Sequence, residues 1–159
     1  MLVIIWLLLW AVSRWVVLRK SKLPGIQAIV PFLGGFSLAK SAGRSDIGIL
    51  RILSEFGAVI SLFLAFGAAG NFHIPAVDAL IDFIELDILG STSITAVDVF
   101  VALLLVFLVI YLITHATVSA SIARNRGFSW PFTVVLTLFE PIGLTIMALG
   151  PQNHWSNTE

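Results

Sequence analysis

Residues 99–110 read VFVALLLVFLVI, and after Asp98 no Asp, Glu, Lys or Arg occurs until Arg124. That run constrains the fold more than any motif in the chain. In hydrocarbon no water satisfies a backbone N–H or C=O, so a single apolar segment crosses only as a helix. Such a helix needs about 20 residues. Thr95 and Asp98 stand at capping-box spacing just ahead of the run, which predicts a helix over 95–120 and gives Asp98 a structural role. Tyr111, Thr114, His115 and Thr117 make its far end more polar, and Arg124 and Arg126 form a basic turn beyond it.

The rest of the chain repeats the pattern. Of 159 residues, 58% are hydrophobic and 11% charged, less than half the roughly 25% of a soluble domain. The reading is all-α: one polytopic membrane domain over 1–159 with about four transmembrane helices. Residues 1–18 carry Trp6, Trp10 and Trp15 and only one charge, Arg14. With no positive region ahead of Arg14 they predict a first membrane helix, not a signal peptide. Arg14 is expected to snorkel towards Arg19, Lys20 and Lys22. Residues 24–40 are apolar but interrupted by Pro24-Gly25, Pro31 and Gly34-Gly35, which predicts a re-entrant or interfacial helix-break-helix. Residues 47–70 are long enough to span and place Arg51 and Glu55 on one helix face.

Residues 76–89 form a predicted outer amphipathic helix. Pro75 suits its first position, and Val77, Leu80, Ile81, Ile84 and Ile88 follow a helical period opposite Asp78, Asp82 and Glu85. Gly90 suits its end. An acidic face does not seek anionic lipid, so it is expected to face water or a protein partner; a cation site built from the three acids is the lesser alternative. Residues 128–149 form the fourth span. Pro141 lacks an amide proton and clashes with the turn before it, so a kink or break is expected there. Whether the chain continues across or turns back at Glu140-Pro141 is open.

All nine basic residues fall in or beside the turns after the first and third spans, or around the broken segment, whereas the acidic helix lies across from them. The bias of Lys and Arg towards the cytoplasm then sets the orientation: N-terminus outside, basic turns inside, acidic loop and C-terminal tail outside. This threading puts Arg51, Glu55, Tyr111, His115 and Glu140 at depths where they can form one polar ladder. The competing reading has each satisfied locally, with Glu140 in its neutral form.

The sequence also narrows the chemistry. Nine basic and nine acidic residues cancel, leaving no field for nucleic acid. There is no Cys, and three scattered His do not make a zinc site. Ser and Lys are adjacent at Lys20-Ser21-Lys22 and at Lys40-Ser41, but sequence neighbours do not face each other on a helix as the pair of a serine-lysine protease must. No catalytic residue, metal or cofactor is assigned, and the chain is read as a non-enzyme.

Two patches, KLPGIQAIVPFLGGFSLAKSAGR from Lys22 and IARNRGFSWPF from Ile122 together with FEPIGLTIMALG from Phe139, resemble blocks of a family of small polytopic bacterial inner-membrane proteins of unknown function, some of them labelled signal peptidase I. Gly34-Gly35 stands where that family has polar residues, and the acidic insert around Asp78 departs from it. The resemblance implies a bacterial plasma-membrane protein and brings no catalytic residue. The expected role is a subunit or scaffold that packs against a larger membrane complex. Small residues Gly57, Ala58, Gly67, Ala68, Ala69 and Gly70 would admit another helix. The alternative is an oligomeric transporter or channel that uses Glu140 and the Arg51-Glu55 pair.

Overall fold

The apolar runs become helices. In the computed structural model, which describes residues 1–30, 32–90 and 94–150, no strand occurs among the described residues. Seven α-helices follow in order: α1 (Leu2–Lys20), α2 (Leu33–Ser41), α3 (Ser45–Ala68), α4 (Pro75–Phe83), α5 (Ala96–Asn125), α6 (Trp130–Leu138) and α7 (Glu140–Leu149). A 3-10 turn, Gly25–Ala28, precedes α2, and a π-helical stretch, Ile84–Leu89, follows α4.

Two of these helices are long and apolar enough to cross a bilayer, α3 with 24 residues and α5 with 30. A core helix of a soluble protein would be mostly buried. Here only 22% of the most apolar stretch of α3 and 11% of that of α5 is buried within the chain. Most of their apolar surface is left uncovered by the described residues.

Local chemistry sets the helix ends. Thr95 and Asp98 form the expected capping box: the N–H and hydroxyl of Thr95 donate to Asp98 Oδ2 at 2.9 and 2.7 Å, and the Asp98 N–H donates to Thr95 Oγ1 at 3.3 Å. Pro75 opens α4, where a missing N–H breaks no helical bond. Gly90, at φ 55°, follows the π-helical stretch.

The chain divides into two compact units, Met1–Ile52 with Leu112–Glu159, and Leu53–Tyr111. In the first, Val17 and Leu18 of α1 are buried with Leu38 of α2, Val118 and Ile122 of α5, Leu136 of α6, and Leu144 and Met147 of α7. Two short segments leave one end of this unit and return to it. Arg126 donates to Ser21 Oγ at 3.1 Å as the chain approaches α6. Lys20 Nζ donates to the Ala148 and Gly150 carbonyls at 2.6 and 3.0 Å where α7 ends. Entry and exit both lie at the C-terminal end of α1, so α6 and α7 form an antiparallel hairpin.

Of the two courses left open for 128–149, the described residues follow the one that turns back at Glu140-Pro141, and the chain leaves α7 at the end that carries the basic turns. Helices of 9 and 10 residues rise about 15 Å, half of what crossing requires. The break falls at Phe139 (φ −130°, ψ 56°), with Glu140 and Pro141 opening α7. The Phe139 carbonyl accepts the Ile142 and Gly143 N–H groups at 2.9 and 3.0 Å. Proline permits this because it suits the first turn of the new helix and cannot continue the old one.

The segment 24–40 behaves similarly. Gly25 sits against Trp15 and Arg19, and Gly34 has reached Arg14, further up α1. The chain then descends through α2 to Ala42, whose carbonyl accepts from Asn125 Nδ2 at 2.9 Å. Helix-break-helix was expected here; Pro31 lies outside the described residues.

The second unit has a small core of Ala65, Ala96 and Phe100, with Ile81 and Ile84 packed on it. Val77 is buried, but Leu80 and Ile88 of the expected apolar face are exposed. An i→i+5 turn winds more slowly than an α-helix and carries Ile88 off the face. The small residues expected to admit a foreign helix are partly occupied from within. A Cβ on Gly57 would lie 2.5 Å from the Phe107 ring, and one on Gly67 would lie 3.0 Å from Val77 and 3.1 Å from Phe72.

Candidate functional site

The first unit concentrates its buried charge at the tip of the α6–α7 hairpin. Glu140 is the first residue of α7, and its side chain is 12% exposed. Arg14 Nε donates to Glu140 Oε1 at 2.5 Å. On the other carboxylate oxygen, Arg51 Nη2 lies at 4.0 Å and His115 Nδ1 at 3.9 Å. Arg14 is 5% exposed, Arg51 1% and His115 6%, so a carboxylate, two guanidinium groups and an imidazole share one largely dry space. The Arg14 guanidinium also lies 4.0 Å from the Trp10 ring centroid, a cation–π contact that strengthens when water is excluded.

Each element places its residue for a local reason. Residue 141 of an uninterrupted helix would donate its N–H to the carbonyl of residue 137. Proline has no proton to give, and His115 Nε2 lies 3.1 Å from the Thr137 oxygen. A side chain of α5 thus satisfies the carbonyl that the proline orphans. This contact also fixes which way the imidazole faces, with Nδ1 turned to Glu140. Gly34 makes room for Arg14: a Cβ there would lie 2.9 Å from Arg14 Nη1 and 3.1 Å from the Ala28 carbonyl.

Of the five residues expected in a polar ladder, Arg51, His115 and Glu140 come together. Glu55 and Tyr111 belong to the second unit, where both are half-buried. The residue missed is Arg14. It was expected to snorkel to the basic turn, but it is buried against Glu140, because an opposite charge at 2.5 Å is a better partner than distant water. Its depth on α1 relative to Glu140 depends on α7 running parallel to α1, which no local pattern reveals.

The acidic residues of the outer segment do not converge. Among the described residues no group of three metal-ligating side chains forms. Asp78 lies 3.8 Å from His73 Nδ1, Asp82 is exposed, and Glu85 Oε1 accepts the Ala96 N–H at 3.3 Å at the start of α5. That last contact gives Glu85 a capping task. Lys40 is exposed at the end of α2, and Ser41 Oγ donates to the Leu38 carbonyl at 2.7 Å.

Compared with protein-family models, curated proteins and solved structures, the chain finds no match. Its site is interpreted from its own residues.

The arrangement has a direct energetic test. His115→Leu removes the donor to the Thr137 carbonyl and leaves that oxygen buried without it, a loss of about 1–3 kcal/mol. Thermal unfolding in mild detergent should register it. His115→Gln keeps an N–H donor and should cost less. Equal losses in the two variants would show that the ring's shape matters and the hydrogen bond does not.

Proposed function

We propose that this chain is a multi-pass protein of the bacterial plasma membrane that acts without covalent catalysis, as a subunit or scaffold of a larger membrane complex. In this reading α1, α3 and α5 cross the bilayer and the two short broken segments dip in from the cytoplasmic side. The bias of basic residues puts the N-terminus and the acidic segment outside. The C-terminus comes out inside, where the hairpin returns.

One observation carries the subunit reading. The ionisable groups at the hairpin tip are spent on one another, with Glu140 held by Arg14 at 2.5 Å and His115 directed to the Thr137 carbonyl. Groups committed in this way hold two half-length hairpins at fixed depth and build a rigid body. The exposed apolar flanks of α3 and α5 and the exposed acid Asp82 remain for lipid and partner.

A second reading is favoured by a different feature. Both α2 and α7 begin beside Arg14, and paired interrupted helices meeting at depth are the usual pointer to a transport site. A homo-oligomeric conduit would use that meeting point. A pull-down from native membranes through a C-terminal tag, with mass spectrometry of what stays bound, separates the two. A stoichiometric larger partner supports the subunit. A homo-oligomer alone, with solute flux in vesicles, would replace it with the conduit.

A further inference from the structure

The hairpin geometry gathers the basic turns onto one face. The end of α1 meets the end of α5 through the Arg126–Ser21 contact at 3.1 Å. The end of α5 meets the α2–α3 turn through Asn125 and the Ala42 carbonyl at 2.9 Å. Arg19, Lys22, Lys40 and Arg124 are all exposed there, and the Arg44 side chain is 43% exposed. The carboxylate described at this end is Asp46, already 3.5 Å from Arg44. Trp130 opens α6 at the same end, 77% exposed, where an indole marks a headgroup boundary.

Lys22 has φ 59°, the left-handed conformation that ends a helix and that glycine adopts without strain. It is held there by the Leu23 N–H on the Leu18 carbonyl at 2.9 Å. A lysine in that position costs backbone energy that glycine would not.

We propose that this face binds the phosphate headgroup of an anionic phospholipid, phosphatidylglycerol in the first instance, between the ends of α1, α2 and α5. The proposal rests on the membrane reading above. It adds to that reading a defined ligand and a set of residues. The phosphate takes charge-assisted bonds from Lys22, Lys40 and Arg124, and the acyl chains run along the exposed apolar flank beside Trp130.

The test uses the full chain in a neutral maltoside detergent. Dioleoylphosphatidylglycerol, dioleoylphosphatidylcholine or inorganic phosphate is added, and native mass spectrometry counts retained lipid beside thermal unfolding. The wild type should keep phosphatidylglycerol over phosphatidylcholine and be stabilised by it. A cation near an anionic surface contributes enough that each neutralisation weakens binding about fivefold. Lys22→Gly with Lys40→Gln and Arg124→Gln should then lose affinity by about a hundredfold while keeping its own unfolding temperature, since Lys22→Gly relieves strain. Equal retention of both lipids, a triple variant that binds like wild type, or protection by phosphate alone would each overturn the proposal. Carbonate extraction of native membranes separates the failures. A chain that stays in the membrane without lipid preference sinks only this proposal, and a chain released by carbonate sinks the membrane reading as well.

Discussion

Glu140→Gln should destabilise the protein by about 3–5 kcal/mol, the cost of leaving buried charge without its counter-ion. The substitution keeps the shape of the side chain and removes the charge that faces Arg14 and Arg51, which are 5% and 1% exposed. Arg14→Met should cost less, because it removes the nearest partner of the carboxylate while Arg51 and His115 stay beside its other oxygen. Arg14 and Glu140 are in direct contact, so the double variant should lose less than the sum, with a coupling of about 0.5–3 kcal/mol. Reversible unfolding in mixed micelles would measure all four corners of the cycle. Strict additivity would mean that the pair does not hold the hairpin tip. The same result bears on function: a flux assay of Glu140→Gln alone would confuse lost transport with lost fold, so the conduit reading has to be tested on Arg14 and Glu140 together.

Gly143→Ala should lower the unfolding temperature, although the same change in an open helix stabilises by up to about 1 kcal/mol. The sign reverses because α6 packs on α7 at that point. A Cβ on Gly143 would sit 2.9 Å from the Leu136 Cα, which is backbone and cannot turn aside, and 2.8 Å from Leu136 Cδ1. Overpacking of this kind costs about 1–3 kcal/mol. A stabilised Gly143→Ala would show that the hairpin is open and that 128–149 runs on as one helix. A topology reporter fused to the C-terminus offers a second check. It should report the same side of the membrane as a reporter placed in the turn at Lys22.

Much of the architecture was legible from local pattern. Thr95 and Asp98 declare the start of α5, Pro75 that of α4, and Gly90 the close of the acidic segment, because caps and turns depend on a few neighbouring residues. The interruption near Pro141 was legible for the same reason, to within two residues. Of the buried cluster, Glu140 was expected deeper, beyond Glu55 and Tyr111, and lies beside Arg51 and His115 instead. Those two could be matched by depth. Arg14 could not, since a charge four residues from Trp10 on an apolar helix has two acceptable fates, water or a buried partner, and the choice depends on a residue 126 positions away.

The small residues make the same point. Gly57 and Gly67 announce close approach, but the sequence does not say whose side chain approaches, and Phe107, Phe72 and Val77 of this chain fill the space. By itself, then, the sequence determined the helical class, the starts of α4 and α5, the apolar runs and the basic turns, all properties of short stretches of chain meeting water or lipid. The far end of α5 was not among them, since the helix runs on to Asn125, past the end expected near 120. Only the tertiary structure decided that 128–149 turns back, that Gly34 clears room for Arg14, and that His115 takes over the carbonyl orphaned by Pro141. Those outcomes depend on which helix ends lie side by side, and that is set by packing across the whole unit.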